Sequence, residues 1–365
     1  MHKMAFYRIL IVLLLSIPIL GNAQSPNQTV YYGNESFLLE GTQIADSLKE
    51  NRYDRLPLSL KGVVRDPVWN LSKSSAGMSI RFFSNSTSIH VKWTLLFNNN
   101  MPHMAETGIK GVDLYFNNGG DWQYLNTARP KGIENESLLI DHMSGEMREY
   151  RMYLPLYDGV SHIEVGIDSG SVIKKPLETT KKSIIFYGTS ITQGGCASRP
   201  GMAHTNIISR KLNMDCINLG FSGNGRMEVP INELIAGLDP AFYVIECLPN
   251  MNVEQITERT IPLVKTIRQK HAETPILLVE NFIYENSVLN QDLDKTITDK
   301  NIALKAEYDK MMKKGFESIH YIRSEGAMGE DHEGTVDGVH FTDLGFLRYA
   351  DFLIDKFEEL GLVTK

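Results

Sequence analysis

The sequence predicts an all-β sandwich, jelly-roll-like in its strand spacing, followed by an α/β unit with a parallel sheet covered by helices on both faces. Three observations carry this. At 365 residues the chain exceeds one average domain, since domains mostly run to about 100–150 residues. From about residue 30 to residue 175 it consists of short alternating apolar segments broken by Gly, Asn, Asp and Pro, the pattern of half-buried strands. Beyond that point apolar strands alternate with segments of helical period, an order that implies parallel strands joined by crossover helices.

The first segment is a leader. An apolar run over 9–20 follows Lys3 and Arg8 and precedes Gly21-Asn22-Ala23. It is shorter than the roughly 20 residues that span a bilayer, and a small-residue site ending at Ala23 suits a signal peptidase. The expectation is a signal peptide over 1–23 and a secreted or periplasmic product with no membrane attachment after cleavage. No Cys follows the run to take a lipid anchor.

Residues 24–175 form the expected β unit, with strands at 78–83, 88–96, 111–116, 121–125, 148–154 and 162–167 and turn-rich tracts such as Asn117-Asn118-Gly119-Gly120 between them. The stretch around 173–180, with Lys174-Lys175-Pro176, reads as a linker, bounded as 176–182. Residues 183–365 form the α/β unit, with strands at 183–187, 242–246, 275–280 and 318–322. Its helices are expected at 203–212, 253–271, 293–314 and 342–360, each with an apolar stripe at i, i+3, i+4 spacing. Ligands of such sheets bind beyond the carboxyl ends of the strands.

Composition narrows the partners. A net charge of −7 leaves no basic excess to neutralise phosphates, which argues against nucleic acid. Three cysteines, Cys196, Cys216 and Cys247, cannot make a disulfide framework. They read as small buried hydrophobes, with a Cys196–Cys216 bridge left open. The histidines lack the paired spacing of zinc helices, and Glu330-Asp331-His332-Glu333 reads as a solvated loop, so no metal or cofactor is expected.

Four blocks carry chemistry. The first strand of the α/β unit ends Gly188-Thr189-Ser190, which sets a serine hydroxyl at the carboxyl edge of the sheet where a helix should begin. Alone this reads as a turn with a capping serine. After the next strand comes Gly220-Phe221-Ser222-Gly223-Asn224-Gly225, whose bare backbone can approach a ligand closely. The third strand runs into Leu248-Pro249-Asn250, leaving an amide donor at its exit. Near the end stands Asp337-Gly338-Val339-His340, where the carboxylate can fix the imidazole while its other nitrogen faces the serine.

Together, in this order, the four blocks resemble those of the SGNH hydrolases, the GDSL-type esterases and lipases, over about residues 181–365. The resemblance implies a flavodoxin-like three-layer fold with a five-stranded parallel sheet. It implies Ser190 as nucleophile, His340 and Asp337 as the other members of a triad, and the Ser190 N–H, Gly223 and Asn250 as oxyanion donors. Two positions depart from the common pattern: Thr189 where an acidic residue is usual, and Met251 after Asn250 where many members carry Asp. These variants and the preceding β unit look like the two-domain carbohydrate esterases that remove acetyl groups from polysaccharides.

The expected function is thus a small-molecule or polysaccharide acyl esterase, with O-acetyl groups favoured and oligomeric state open. A lipase or thioesterase, and a carbohydrate-binding protein with a vestigial hydrolase unit, are the alternatives. Arg199 and His204, after the nucleophile, and His103 and Glu106, in the loop over 98–107, are candidate substrate contacts. Trp69, Trp93 and Trp122 read as core residues of the sandwich rather than sugar platforms.

Overall fold

A computed structural model describes residues 28–364. The leader expected over 1–23 lies outside these described residues.

The first half folds as a β-sandwich. Its strands are β1 (Thr29–Tyr32), β2 (Leu38–Glu40), β3 (Ser79–Ser84), β4 (Ile89–Leu95), β5 (Val112–Asn118), β6 (Asp121–Ala128), β7 (Glu134–Ile140), β8 (Arg148–Tyr153), β9 (Val160–Asp168) and β10 (Ile173–Lys174). They pair antiparallel in two sheets, β1-β9-β4-β7 and β10-β3-β8-β5-β6, with β2 beside β3. Alternation along the strands builds the core: Ile89, Val91, Trp93 and Leu95 of β4 face Ile80 and Phe82 of β3 and Leu114 of β5 inside one cluster, as period-two burial requires.

Three features differ from the pattern expected of the sequence. β7 is unmarked by apolar alternation because only Asn135 and Leu139 of Glu134–Ile140 are buried. The start of the stretch read around 173–180 as a linker is the strand β10, which pairs with β3, while no strand or helix lies between Lys174 and Ser183. Two short helices, α1 (Asp66–Leu71) and α2 (Glu106–Lys110), interrupt the β text.

The second half is a doubly wound sheet. Its parallel strands β11 (Ser183–Gly188), β12 (Cys216–Gly220), β13 (Pro240–Glu246), β14 (Ile276–Val279) and β15 (Ile319–Ile322) lie in the order β12-β11-β13-β14-β15. The helices are α3 (Ser190–Gln193), α4 (His204–Leu212), α5 (Val229–Ala236), α6 (Val253–Arg268), α7 (Gln291–Lys313) and α8 (Asp343–Glu359). Ile184 and Phe186 of β11 point into one core with Ile207 of α4 and Leu353 of α8. Ile185 and Tyr187 point the other way, among Ile235 of α5, Leu263 of α6 and Leu304 of α7. Such two-faced burial gives a parallel strand its unbroken apolar text.

The two halves share these cores. Met104, Ile109, Leu156 and Tyr157 of the β half are buried in the cluster with Phe186, and Leu56, Val68 and Trp69 in the cluster with Tyr187. Trp93 is interior to the sandwich, with Nε1 donating to the Lys110 carbonyl at 3.0 Å. Trp122 is half-buried beneath the Arg151 guanidinium.

Candidate active site

Strand β11 delivers the serine. Gly188 at its end is a close-approach position, since a Cβ there would lie 1.9 Å from the Thr192 hydroxyl. The chain enters α3 through a reciprocal cap: the Thr189 hydroxyl accepts from the Ile191 N–H at 3.3 Å, and the Thr192 hydroxyl from the Thr189 N–H at 3.2 Å. Ser190 is the first helical residue.

Ser190 Oγ lies 2.9 Å from His340 Nε2, and His340 Nδ1 lies 2.8 Å from Asp337 Oδ2. The second carboxylate oxygen accepts the His340 and Val339 N–H groups at 2.8 and 3.1 Å, so Asp337 closes its own loop. Burial works to raise the Asp337 carboxyl, but hydrogen bonds from the His340 ring and from these two N–H groups hold it below the usual carboxylate range. An ionised Asp337 keeps the proton on Nδ1 and leaves Nε2 as acceptor toward the serine. This arrangement can withdraw a hydroxyl proton and activate the oxygen.

The glycine loop and the amide come to the same sheet edge. The Phe221 N–H donates to the Gly188 carbonyl at 3.0 Å, drawing the loop after β12 alongside α3. Gly223 has φ +69° with open space where a Cβ would stand, so backbone conformation and not crowding calls for glycine. Asn250, just past β13, donates from Nδ2 to the Phe221 carbonyl at 3.2 Å, which leaves it one further amide hydrogen. Ser190, Gly223 and Asn250 therefore follow three strands that are neighbours in the sheet.

Beneath them lies a carboxylate that belongs to none of the four sequence blocks. Glu246, the last residue of β13, accepts the Thr192 hydroxyl at 2.9 Å, the Tyr349 hydroxyl at 2.6 Å and faces His204 Nε2 at 3.3 Å. It ties α3, α4 and α8 together under the serine. A Glu ending an apolar strand is its only mark in the sequence.

The β half supplies further supports with no sequence signal of function. Tyr157 donates to the Ser190 carbonyl at 3.2 Å. The Gln193 amide bridges the Leu156 carbonyl and the Ser222 N–H at 3.1 Å each. Arg55, buried, donates to the carbonyls of Ser74, Leu71, Asn218 and Gly220 at 2.6–3.2 Å. Arg65 reaches Glu228 and Asn224 Oδ1 at 2.6 and 2.7 Å.

Of the four expected substrate contacts, two are corrected. His204 opens α4 but is fully buried, stacked on Phe346 with its Nε2 toward Glu246; packing of α4 on the sheet turns it inward. The Arg199 guanidinium is held by Asp113 at 2.9 Å and Tyr115 at 2.5 Å and lies over the Tyr124 ring, so it joins the two halves of the chain. His103 is exposed with its ring 5.7 Å from that of His340. Glu106 is exposed and pairs with Lys110 at 3.3 Å.

The three cysteines are free and buried, with no Cys196–Cys216 bridge. In the loop from Glu330 to Glu333, Asp331 pairs with Arg348 and His332 with Glu285. One group of metal-capable side chains does assemble among the described residues: His103, Cys196, Asp337 and His340 each bring a ligand atom within 4.8 Å of the others. An open cleft of about 640 Å³, lined among others by Glu280, Tyr284, Glu285, Asn301 and Arg323, runs along the exits of β14 and β15. Asn286, between the lining residues Glu285 and Ser287, lies 3.9 Å from where a Cβ on Gly338 would stand.

Comparison with known proteins matches this architecture on both halves. A model of the GDSL-like lipase/acylhydrolase family matches residues 181–358. A model of the N-terminal region of SGNH-hydrolase-type esterases matches residues 29–173. That model is named GxDLY, a string present here as Gly111-Val112-Asp113-Leu114-Tyr115, and its Asp and Tyr both bind the Arg199 guanidinium. This motif is the one local mark of the Arg199 contact.

A protein of Bacteroides ovatus assigned as a GDSL-like lipase is 34% identical, with a TM-score of 0.88 over 92% of this chain and 99% of that one. The salicylyl-acyltransferase SsfX3 of a tetracycline biosynthetic pathway is 17% identical, with a TM-score of 0.75 over 92% and 98%. Est2A, an acetyl xylan esterase of Butyrivibrio proteoclasticus, is 11% identical, with a TM-score of 0.55 over 92% and 100%; these last two show a common fold. None of the curated proteins matches the chain.

Proposed function

We propose that this chain, which belongs to the GDSL-like lipase/acylhydrolase family, is a serine esterase that removes short acyl groups, O-acetyl above all, from a hydroxyl-rich alcohol such as a carbohydrate. The observation that carries the reading is the unbroken line from Ser190 Oγ through the His340 ring to the Asp337 carboxylate, at 2.9 and 2.8 Å.

In this reading His340 Nε2 takes the Ser190 proton as Oγ attacks the ester carbonyl. The oxyanion accepts hydrogen bonds from the Ser190 and Gly223 N–H groups and from the Asn250 amide, donors set in place before charge develops. The imidazolium, stabilised by Asp337, returns its proton to the departing alcohol oxygen as the C–O bond breaks. Water, deprotonated by the same nitrogen, then attacks the acyl-serine. The second tetrahedral intermediate collapses to the carboxylic acid as the imidazolium returns that proton to the departing Ser190 Oγ.

A short acyl group is favoured because Ser190 is only 8% exposed, with the Tyr157 hydroxyl bonded to its carbonyl and Gly195 packed against the His340 ring. A hydroxyl-rich alcohol is favoured by the cleft along the exits of β14 and β15, where carboxylates, an amide, a guanidinium and the Tyr284 ring lie together; such groups serve sugar hydroxyls and sugar faces. The acetyl xylan esterase with this two-unit fold is consistent with that choice. The reading has the chain exported by the 1–23 leader as a 24–175 β unit joined through 176–182 to the hydrolase unit of 183–365. No helix of the described residues is long and apolar enough to cross a membrane.

The test is acetate release from acetylated xylan, acetylated pectin and a chromogenic ester series of rising acyl length, wild type against Ser190→Ala. Acetate release that disappears in the variant and falls with longer acyl chains is expected. Undiminished turnover in Ser190→Ala, or a preference for long chains, would overturn the reading.

A further inference from the structure

We propose that His103, Cys196, Asp337 and His340 form a binding site for a soft or borderline divalent cation, Zn²⁺ foremost, whose occupancy switches the esterase off. The proposal rests on the reading of His340 as the catalytic base.

The donor set decides the ligand class. A thiol, two imidazoles and a carboxylate bring ligand atoms within 4.8 Å of one another. Sulfur and nitrogen donors select zinc and its neighbours, whereas Mg²⁺ and Ca²⁺ require oxygen. Ligands at about 2.0–2.3 Å around a tetrahedral zinc stand roughly 3.3–3.8 Å apart, so the group needs a contraction of about an ångström. Two members can supply it. His103 is on an exposed loop, its ring already tilted against that of His340. Cys196 has a single side-chain torsion to turn.

Cys196 is held there at a cost. Its φ of +72° puts a residue with a Cβ in the left-handed region, which costs about 1–2 kcal/mol relative to the right-handed one. The thiol is buried beside the Asp337 carboxylate and the His340 ring, within reach of the other three donors. Binding would release the thiol proton and form a metal–thiolate bond. Thiolate and carboxylate together then balance the charge of the dication.

Catalysis and metal binding exclude each other. His340 uses one nitrogen toward Ser190 and the other toward Asp337. Whichever nitrogen ligates the cation, the hydrogen bond through it is lost, and with it the proton path from the serine.

The experiment titrates the reduced full chain with ZnCl₂ by calorimetry and, in parallel, follows hydrolysis of a chromogenic acetate. One Zn²⁺ per chain is expected, with proton release on binding, activity that falls in step with occupancy and recovery on adding a chelator. Mg²⁺ at equal concentration should do neither. Cys196→Ala, which carries the same backbone strain, should keep basal turnover while its zinc affinity and zinc sensitivity fall roughly tenfold or more. His103→Gln, at an exposed position and read by calorimetry alone, should weaken zinc by a similar factor whether or not the cysteine variant folds. Wild-type zinc affinity in both variants, or equal inhibition by Mg²⁺, would overturn the proposal. Ser190→Ala separates the two readings: it should bind zinc and not turn over, and an active Ser190→Ala would strike the esterase reading while leaving the calorimetry intact.

Discussion

The guanidinium of Arg55 donates to the Gly220 carbonyl at 2.6 Å and to the Asn218 carbonyl at 3.2 Å. A buried cation of the β half thereby grips the end of β12 where the Gly223 loop begins. Its plane also lies over the Phe221 ring, 5.0 Å from the centroid. Arg65 holds the same loop three residues past Phe221, through both the side chain and the carbonyl of Asn224. The β half thus helps position the loop that carries Gly223.

Arg65 is the tractable probe of that relationship, because its side chain is partly exposed and its loss leaves no buried cavity. Arg65→Gln should lower kcat by about tenfold with KM nearly unchanged, as loosening a transition-state donor does. The melting temperature should shift by no more than a few degrees. A change confined to KM would mean that the loop serves ground-state binding instead. Arg55→Met should be far more damaging, costing about 3 kcal/mol or more because several buried carbonyls lose their donor.

Ser190→Ala and His340→Ala should each remove nearly all activity, and the double variant should match either one. Members of one proton-transfer unit show such non-additivity. Steady-state kinetics on a chromogenic acetate measure it, and a double variant slower than both singles by the product of their effects would contradict a shared role.

Asn250→Ala should reduce kcat about a hundred- to a thousand-fold with little change in KM, the loss typical of one oxyanion donor. Its bond to the Phe221 carbonyl makes a small loop displacement part of the effect. Asn250→Asp, similar in shape, would remove the amide hydrogens altogether, so it should be no more active than Asn250→Ala. An Asn250→Asp enzyme with wild-type kcat would exclude the donor role.

Asp215 ties the halves together in a pH-dependent way. It accepts the Gly41 N–H at 3.0 and 3.1 Å. Burial first, and then the neighbouring charge of Glu40, push its carboxyl up to about 6, with the Gly41 N–H and Arg151 opposing. The folded state therefore binds a proton that the unfolded chain has released between about pH 4 and 6. That stabilisation is complete at low pH and is lost as pH rises through about 6. Asp215→Asn, which keeps an acceptor for Gly41, should melt above wild type at pH 8, with the gap closing toward pH 5. A gap independent of pH in calorimetric scans would disprove the assignment.

Much of the fold and the heart of the site are legible in the order of the residues. The β half announces itself through alternation, because a strand with one wet face must alternate, and the α/β half through unbroken apolar strands buried on both faces. Strand β7 carries no such mark because only Asn135 and Leu139 of its seven residues face inward. Ser190, the Gly223 loop, Asn250 and the Asp337–His340 segment are readable because each is a local signal: a strand exit, a glycine turn, or a pair three residues apart.

Other features belong to tertiary structure alone. Glu246 meets Thr192 and Tyr349 across 54 and 103 residues, and Arg55 meets Gly220 across 165; nothing local marks either as a support. His204 and Arg199 stand close to Ser190 in sequence, yet the packing of α4 turns one into the core, and Asp113 and Tyr115 bind the other. The gathering of His103, Cys196, Asp337 and His340 joins an exposed loop, a left-handed residue and the loop of residues 337–340. Periodicity and short motifs report which face of an element is buried and which atoms it can offer. Only the packed chain decides which of those atoms meet, since hydrogen bonds and close contacts depend on distances in space that residue spacing does not encode.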